Sequence, residues 1–232
     1  MVATSRRSVA APNGPVVSGR DPVTPRGVAT RDRLLEAARR ELIERQGVVE
    51  VDSVARRAEV SVGLIYRHFG SKAGLVGAVV QAFYKRFEQE VMTSNPAPGA
   101  DWAKREYTRT VRAVAFNYED PLAPIVLSCL HLEPAVAALE ARELDAHIEL
   151  SAHNVANGQR QGLVPDDIDP RFAGAMVLGG LRRVLVEALG REPRPPQQEV
   201  AIQLWRFVSS VLGIDERGDG QPRSPEMEHR GS

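Results

Sequence analysis

The chain has 232 residues, of which 43% are hydrophobic and 26% are charged, and its 30 Lys/Arg balance its 30 Asp/Glu. This length and composition predict a globular chain with a sizeable core in one or two domains. The single cysteine, Cys129, excludes an intramolecular disulfide framework, and no apolar run has the length of a signal peptide or a transmembrane helix, so we expect a soluble cytoplasmic protein.

Residues 1–29 are predicted to form a disordered arm, because they are rich in proline and lack apolar periodicity. Residues 1–92 hold 15 Lys/Arg against 10 Asp/Glu, whereas residues 93–232 hold 15 against 20. The basic first part is consistent with one end of the molecule facing a polyanion. Whether the arm contacts DNA or stays solvated is left open. Residues 214–232 are predicted to be a second disordered tail.

Between the two tails the sequence predicts an all-α protein of about nine helices, since apolar residues recur at helical spacing. Thr30 is expected to cap a first helix that ends near Gln46 and is closed by Gly47. Ser71 is expected to cap a longer helix that ends near Met92. Further helices or apolar helical segments are predicted over residues 102–118, 122–132, 134–157, 169–189 and 196–212.

Residues 51–70 have the pattern of a helix-turn-helix, in which two short amphipathic helices are joined by a tight turn. Small or apolar residues of both helices, among them Ala55 and Phe69, would face the core, and Ser61 would cap the second helix. The opposite face would then meet DNA. DNA contacts are predicted for Thr30, Ser53, Arg56, Ser61, Val62, Gly63, Leu64, Tyr66, Arg67, His68 and Lys72.

Several of these side chains have the chemistry needed to hold a phosphate backbone. The Tyr66 hydroxyl and a ring N–H of His68 can donate to phosphate oxygens, and Lys72 stands in the first turn of the next helix, where an anion is favoured. The side of the second helix that would face the bases is otherwise apolar. Arg56 or Arg67 is therefore the candidate guanine reader.

The N-terminal region resembles the TetR family of transcriptional regulators. The resemblance covers residues 30–76 and rests on an amphipathic helix (TRDRLLEAARRELIERQG), then VARRAEVSVGLIYRHF, then SKAGL. It implies that residues 28–88 form the DNA-binding domain and that the tyrosine, histidine and lysine named above hold phosphates. It also implies that residues 97–213 form a helical domain for ligand binding and dimerisation.

The function implied by this resemblance is a repressor that binds a palindromic operator as a homodimer and is released by a small-molecule effector. The alternative is an architectural or partner-binding protein on DNA that has no small-molecule effector. No enzyme activity is expected, because Ser128, Cys129 and His131 diverge on a helix rather than converge. No metal site is expected, since His147 and His153 are six residues apart and point differently, and no cofactor is expected.

Two acidic residues depart from the family pattern. Glu59 occupies a turn position where the family often has glycine, and a positive φ there would cost about 1 kcal/mol. Glu50 stands where threonine or serine often caps the second helix. Together with Asp52, it places negative charge near the expected path of the phosphates.

The last two helices are expected to form the dimer interface, with a flat patch at the paired glycines 179 and 180. The predicted interface residues are Leu178, Gly179, Leu181, Val184, Leu185, Trp205 and Val208. The helices between residues 102 and 157 are expected to enclose the effector. Candidate lining residues, each of which could fill the core instead, are Trp102, Tyr107, Phe116, Cys129, His131, His147 and Met176. The polar stripe formed by Glu143, His147 and Asn154 is interpreted as a solvated face.

Overall fold

The computed structural model describes residues 24–128 and 134–214, and within these residues it contains nine α-helices and no strand. The helices are α1 Pro25–Glu44, α2 Val51–Arg57, α3 Val62–Phe69, α4 Lys72–Phe87, α5 Trp102–Glu119, α6 Ala123–Ser128, α7 Pro134–Arg160, α8 Pro170–Leu189 and α9 Gln197–Val211. A π-helical turn, Glu88–Met92, continues α4. The predicted all-α class is confirmed. Cys129, His131 and the two predicted tails beyond residues 24 and 214 lie outside the described residues.

Helix α1 begins earlier than the sequence predicts. Thr24 caps it by accepting a hydrogen bond from the Gly27 N–H at 3.2 Å, and Pro25 fills the first helical position. Thr30 lies inside the helix, where its hydroxyl donates to the Arg26 carbonyl at 2.9 Å. The predicted cap at Thr30 is therefore wrong, and the predicted arm is too long at its end, since residues 25–29 are helical.

Helices α1, α2 and α3 form a small bundle around buried apolar side chains. Ala55 is 4% exposed and Phe69 is 3% exposed, as the spacing predicts. A buried carboxylate, Glu41, joins α1 to α2 because it accepts a hydrogen bond from the Ser53 hydroxyl at 2.8 Å. In the turn that follows α2, Glu59 has a φ of 56°, so this turn does require the left-handed conformation whose cost the sequence raises.

Helix α4 connects this bundle to the remaining helices, and a single hydrophobic core continues through it from α1 to α9. A smaller cluster centred on Trp102 closes the far end of the molecule. The buried carboxylate of Asp120, after α5, is shared between the two parts. It accepts from Arg39 of α1 at 2.6 Å, from Arg86 of α4 at 3.0 Å and from the Leu122 N–H at 2.8 Å.

Within residues 24–128 and 134–214, no helix combines the length and apolar content needed to cross a membrane.

Candidate functional site

The outward side of α3 presents the residues predicted to meet DNA. Tyr66 is 46% exposed, Arg67 and Gly63 are also exposed, and Val62 and Leu64 are half-buried. Behind this face Ile65 and Phe69 are buried, which fixes the rotation of the helix about its own axis. The predicted division of α3 into an inner and an outer face is therefore confirmed.

The cations of this region fall into two groups. Arg57 is committed within the protein, since it bonds Glu44 at 2.5 and 2.9 Å and holds the pKa of that carboxyl below its usual value. Arg56, Arg67 and Lys72 are exposed and have no ion-pair partner among the described residues. The three unpaired cations are thus available to an external anion.

The junction between α3 and α4 is rigidly defined. Helix α3 ends at Gly70, which has a φ of 74°, and Ser71 caps α4 by accepting from the Gly74 N–H at 2.9 Å. A Cβ placed on Gly74 would lie 2.0 Å from the Phe69 carbonyl oxygen, so only glycine allows this close approach. The close approach fixes the start of α4, and with it Lys72, relative to the end of α3.

Gly63 is a different kind of glycine. A Cβ placed there would meet no atom closer than the Ser61 Oγ at 4.0 Å, so packing within the described protein does not require glycine. Glycine inside a helix costs about 1 kcal/mol relative to alanine. An exposed helical glycine without an internal reason is consistent with a position where another molecule approaches the backbone.

His68 lies half-buried at the end of the same helix. Burial lowers its pKa, and the positive charges of Arg31 and Arg67 lower it further. The guanidinium of Arg31 stacks over the Phe69 ring at 4.7 Å. The neutral imidazole keeps one ring N–H, and the surrounding positive charge favours an anion at this end of α3.

Two side chains predicted to contact DNA differ from expectation. Ser53 directs its hydroxyl to Glu41, toward α1. Ser61 stands at the start of α3 but makes no side-chain capping bond, so its predicted capping role is wrong, and its exposed hydroxyl remains free among the described residues. Glu50 also makes no capping bond, because its carboxylate accepts from Arg45 at 2.7 Å.

Two adjoining cavities lie among the helices that follow α3. The larger cavity, about 660 Å³ with its mouth, is bounded by α4, the π-helical turn, α5, α7, α8 and α9. The smaller cavity measures about 420 Å³ with its mouth and lies between α4, α5, α6, α7 and α8. Phe87, Leu178 and Leu181 line both cavities.

Of the described residues predicted to line the effector site, only one lines either of these cavities. His147 lines the smaller cavity. Trp102 is 1% exposed and belongs to the core, Phe116 packs against Phe83 with 5.2 Å between ring centroids, and Tyr107 packs against a tryptophan. Met176 is 51% exposed. None of these four side chains lines either of the two cavities, and their assignment to an effector site stays a prediction.

His147 is buried and has an unusual environment. It is 2% exposed, its ring packs against Tyr84 and Phe87, and its Nε2 has no hydrogen-bond partner in the described protein. The nearest carboxylate oxygen, on Glu88, is 3.9 Å away. Burial lowers the pKa of His147, with only partial compensation from Glu88. The predicted solvated stripe on α7 is therefore wrong, since at His147 it faces inward.

Helices α8 and α9 both carry exposed apolar side chains. The large ones are Phe172 (70% exposed), Met176 (51%), Val184 (36%), Ile202 (40%) and Phe207 (38%). Gly179 of α8 has nothing within 4 Å of its Cβ position. Neighbouring Gly180 is packed instead, since its Cβ would lie 2.4 Å from the Phe207 ring.

The predicted interface residues are divided by this arrangement. Gly179 and Val184 are exposed, as the prediction requires. Leu178, Leu185 and Val208 are at most 7% exposed and pack into the core of the same chain, so they offer little surface to a partner, and their assignment to an interface stays a prediction. Leu181 and Trp205 are partly buried against the core clusters. Phe207, which the sequence also places at the interface, is exposed, whereas Phe172 and Ile202 were not predicted although each lies one or two turns from a predicted residue.

The N-terminal bundle, with its exposed recognition helix and unpaired cations, defines a helix-turn-helix DNA-binding protein with a helical second domain. Residues 34–79 match the family described as bacterial regulatory proteins, tetR family. The N-terminal region of the chain therefore has the TetR-type DNA-binding domain of a transcriptional regulator.

Solved structures share the fold over most of the chain. One is the fatty acid degradation regulator FadR from Bacillus halodurans, with a TM-score of 0.69, 19% identity, and coverage of 83% of this chain and 97% of that chain. Another is Salmonella enterica GusR, with a TM-score of 0.67, 21% identity, and coverage of 82% of this chain and 98% of that chain. A third is NalD, the secondary repressor of the MexAB-OprM multidrug efflux pump in Pseudomonas aeruginosa. Its TM-score is 0.63 at 19% identity, and the match covers 82% of this chain and 98% of that chain. No curated protein matches the chain.

Proposed function

We propose that this regulator is a repressor that binds a palindromic operator as a homodimer and leaves it when a small molecule binds in the C-terminal domain. Residues 28–88 would form the DNA-binding domain, preceded by a short N-terminal turn of α1, and residues 97–213 would form the sensor and dimerisation domain. Because its target is chromosomal DNA, we assign it to the cytoplasm.

The observation that carries the proposal is the outer surface of α3 and the start of α4. Tyr66, Arg67 and Lys72 are exposed there, the two cations are unpaired among the described residues, and Gly63 leaves the helix backbone open. Such a surface can place a helix in the major groove with donors on the flanking phosphates. Arg67 and Arg56 are the proposed base readers, and Tyr66, His68 and Lys72 are the proposed phosphate contacts.

The exposed apolar side chains of α8 and α9 support the dimer. Contiguous exposed apolar surface is rare on a monomer and marks association sites. Gly179 lets a second helix approach closely, since nothing in its own chain fills that space. A two-fold dimer through these side chains would present two recognition helices to two half-sites, which a single helix-turn-helix needs for useful specificity.

Helix α4 supplies a physical link between cavity and DNA. Lys72 stands at its first residue, while Phe83, Tyr84 and Phe87 near its last turn line the cavities. Its 16 residues correspond to a rigid rod of about 24 Å. A ligand that displaces the cavity end of α4 would shift the start of the helix and the recognition helix locked to it, which favours a half-site spacing that no longer fits the operator.

The test is an in vitro selection on random duplex DNA with the full chain, repeated with Tyr66→Ala and Lys72→Ala. We expect a palindrome, with binding weakened on all sequences in both variants and a salt slope reduced by about 1 for Lys72→Ala. Lys85→Ala is the matched control, since Lys85 is exposed on the same helix at the opposite end. Selection of an unpaired half-site would contradict the homodimer.

Dimerisation is tested separately by sedimentation of Phe172→Ser and Met176→Ser, with Val48→Ser as the control. Val48 is 54% exposed but lies in the N-terminal bundle, away from α8 and α9. We expect dissociation in the first two variants alone. If DNA binding holds but no small molecule alters it, the alternative of a partner-binding regulator without an effector would be favoured.

A further inference from the structure

The larger cavity has a wall that is mainly apolar. Aliphatic side chains of α8, of α9 and of the residue that follows α9 form one side, among them Val177, Leu181, Val208 and Leu212, and the ring of Phe87 lines both cavities. Most of a bound molecule would therefore contact hydrocarbon.

Every charged side chain that lines the two cavities is already paired. In the larger cavity Arg109 forms an ion pair with Glu106 and donates to the Val91 carbonyl at 3.2 Å. In the smaller cavity Arg182 donates to the Tyr84 hydroxyl at 2.8 Å and lies 3.6 Å from Glu140. A charged ligand would find no unpaired partner among these described groups, and burying an unpaired charge is costly.

Two neutral polar side chains in the larger cavity are uncommitted. Ser151 and Asn154 lie about one turn apart on α7 and line this cavity. Neither the hydroxyl nor the side-chain amide has a hydrogen-bond partner among the described residues, because the one bond at Asn154 uses its backbone carbonyl. Together they can donate to and accept from a single oxygen of a ligand.

From these contacts we infer that the larger cavity binds an uncharged amphiphile, with a hydroxyl or carbonyl oxygen at Ser151 and Asn154 and an apolar body against α8 and α9. The inference deepens the proposed function and rests on it, because it gives the chemical class of the effector. The smaller cavity, which Phe87 also lines, offers space for a longer apolar body.

The first experiment measures direct binding to the full chain by calorimetry, without DNA. The probes are 1-decanol, decanoate and decylammonium at about pH 7.5, where the last two are ionised. They share one apolar chain and differ in the charge of the head group. We expect 1-decanol to bind and the two ions to bind at least about tenfold more weakly, because each would bury an unpaired charge.

The second experiment removes the ion-pair partner of Arg109 in the wall of the larger cavity. Glu106→Gln removes the partner of Arg109 without changing the volume of the side chain, so the affinity for decanoate should rise about tenfold relative to 1-decanol. Glu119→Gln is the matched control, since Glu119 is exposed on the same helix and lines neither cavity. Asn154→Leu should weaken 1-decanol binding by about fivefold while leaving the apolar wall in place.

The inference is overturned if decanoate binds the unmodified protein as tightly as 1-decanol, if no probe binds, or if Glu106→Gln leaves the preference unchanged in a protein that still melts cooperatively. DNA release is measured separately by fluorescence anisotropy with the selected operator. Binding of 1-decanol without release of DNA would contradict the proposed effector response while supporting the chemistry inferred for the cavity.

Discussion

At the DNA-binding end of the molecule, Arg56, Arg67 and Lys72 are exposed and unpaired, whereas the cations that line the cavities, Arg109 and Arg182, each lie beside a carboxylate. The first arrangement attracts a polyanion and depends on ionic strength. The second cancels charge locally and leaves an apolar space. The comparison shows that one chain with no net charge can carry two surfaces with opposite preferences.

Glycines sharpen the same comparison. Gly74 is required by close packing against the backbone, with a Cβ position 2.0 Å from the Phe69 carbonyl oxygen, and Gly180 packs against the Phe207 ring, 2.4 Å from its Cβ position. Gly63 and Gly179 have open space beside them, and they lie on the two surfaces proposed to meet another molecule. Internal glycines should therefore matter for folding, and open glycines for binding.

The largest effect is expected for Gly74→Ala. The added Cβ would collide with the backbone carbonyl of Phe69, so the end of α3 must move away from α4, at a cost of about 3 kcal/mol. Urea unfolding should show this loss, and DNA binding should fall with it. Gly77→Ala is the control in the same helix, since its Cβ would lie 3.7 Å from the Leu139 side chain. Equal stability of the two variants would contradict the packing argument.

The second effect concerns the carboxylate that the two regions share. Asp120→Ala would leave the buried Leu122 N–H without its acceptor and remove the partner of Arg39 and Arg86, at a cost of about 2 kcal/mol. Because α1 and α4 would lose a common anchor, ligand-driven release of DNA should also weaken. Glu119→Ala, one residue earlier and exposed, should change neither measurement. An unchanged release in Asp120→Ala would show that α4 acts without this anchor.

The third prediction concerns the unpartnered imidazole in the sensor domain. His147→Phe should raise the free energy of unfolding by about 1 kcal/mol near neutral pH, because it removes a buried nitrogen without a hydrogen bond. His153→Phe, at an exposed position of the same helix, should give no gain. A loss of stability in His147→Phe would mean that the imidazole makes a favourable interaction in solution.

The pH dependence of the free energy of unfolding provides a second test of the role of His147. The pKa of His147 is lowered in the folded protein, so below the ordinary histidine value the unfolded chain takes up the proton first. Stability contributed by the neutral imidazole is therefore lost as the pH falls below about 6.5. His147→Phe should therefore lose less stability over this pH range than the unmodified protein. The pKa of His68 is also lowered, but His68 is present in both proteins and contributes equally to their pH dependence.

The DNA-binding region could be predicted from sequence because its determinants are local. The inward face of α3 follows from residues four apart, and the left-handed Glu59 follows from its place in the turn. The start of α1 was predictable too, since Thr24 followed by Pro25 is a capping signal. The proline-rich context of residues 1–29 obscured it. Whether these contacts bind DNA stays a prediction.

The cavities could not be predicted because their walls come from helices far apart in the sequence. On α7, Glu143, His147 and Asn154 form one polar stripe, which favours a polar outer face when only that helix is considered. Packing of α7 against its neighbours turns the stripe inward at His147 and Asn154, and no local pattern encodes that packing. Packing between distant helices also decides which apolar residues of α8 are buried and which are exposed. Leu178 and Leu185 are buried and Phe172 is exposed, which the sequence of α8 alone does not indicate.

The smallest change, Gly63→Ala, separates folding from binding most clearly. Alanine favours the helix and meets no atom of the chain within contact distance, so the free energy of unfolding should rise by about 1 kcal/mol. If DNA approaches this part of α3, the added methyl group should at the same time weaken operator binding, measured by anisotropy at fixed salt. Stability and affinity would then move in opposite directions at a single residue. Gly179→Ala offers the parallel test on α8, where the same gain in stability of the protomer should accompany weaker dimerisation. If both variants gain stability and lose no binding, the open glycines are not contact points, and the distinction between internal and external glycines fails.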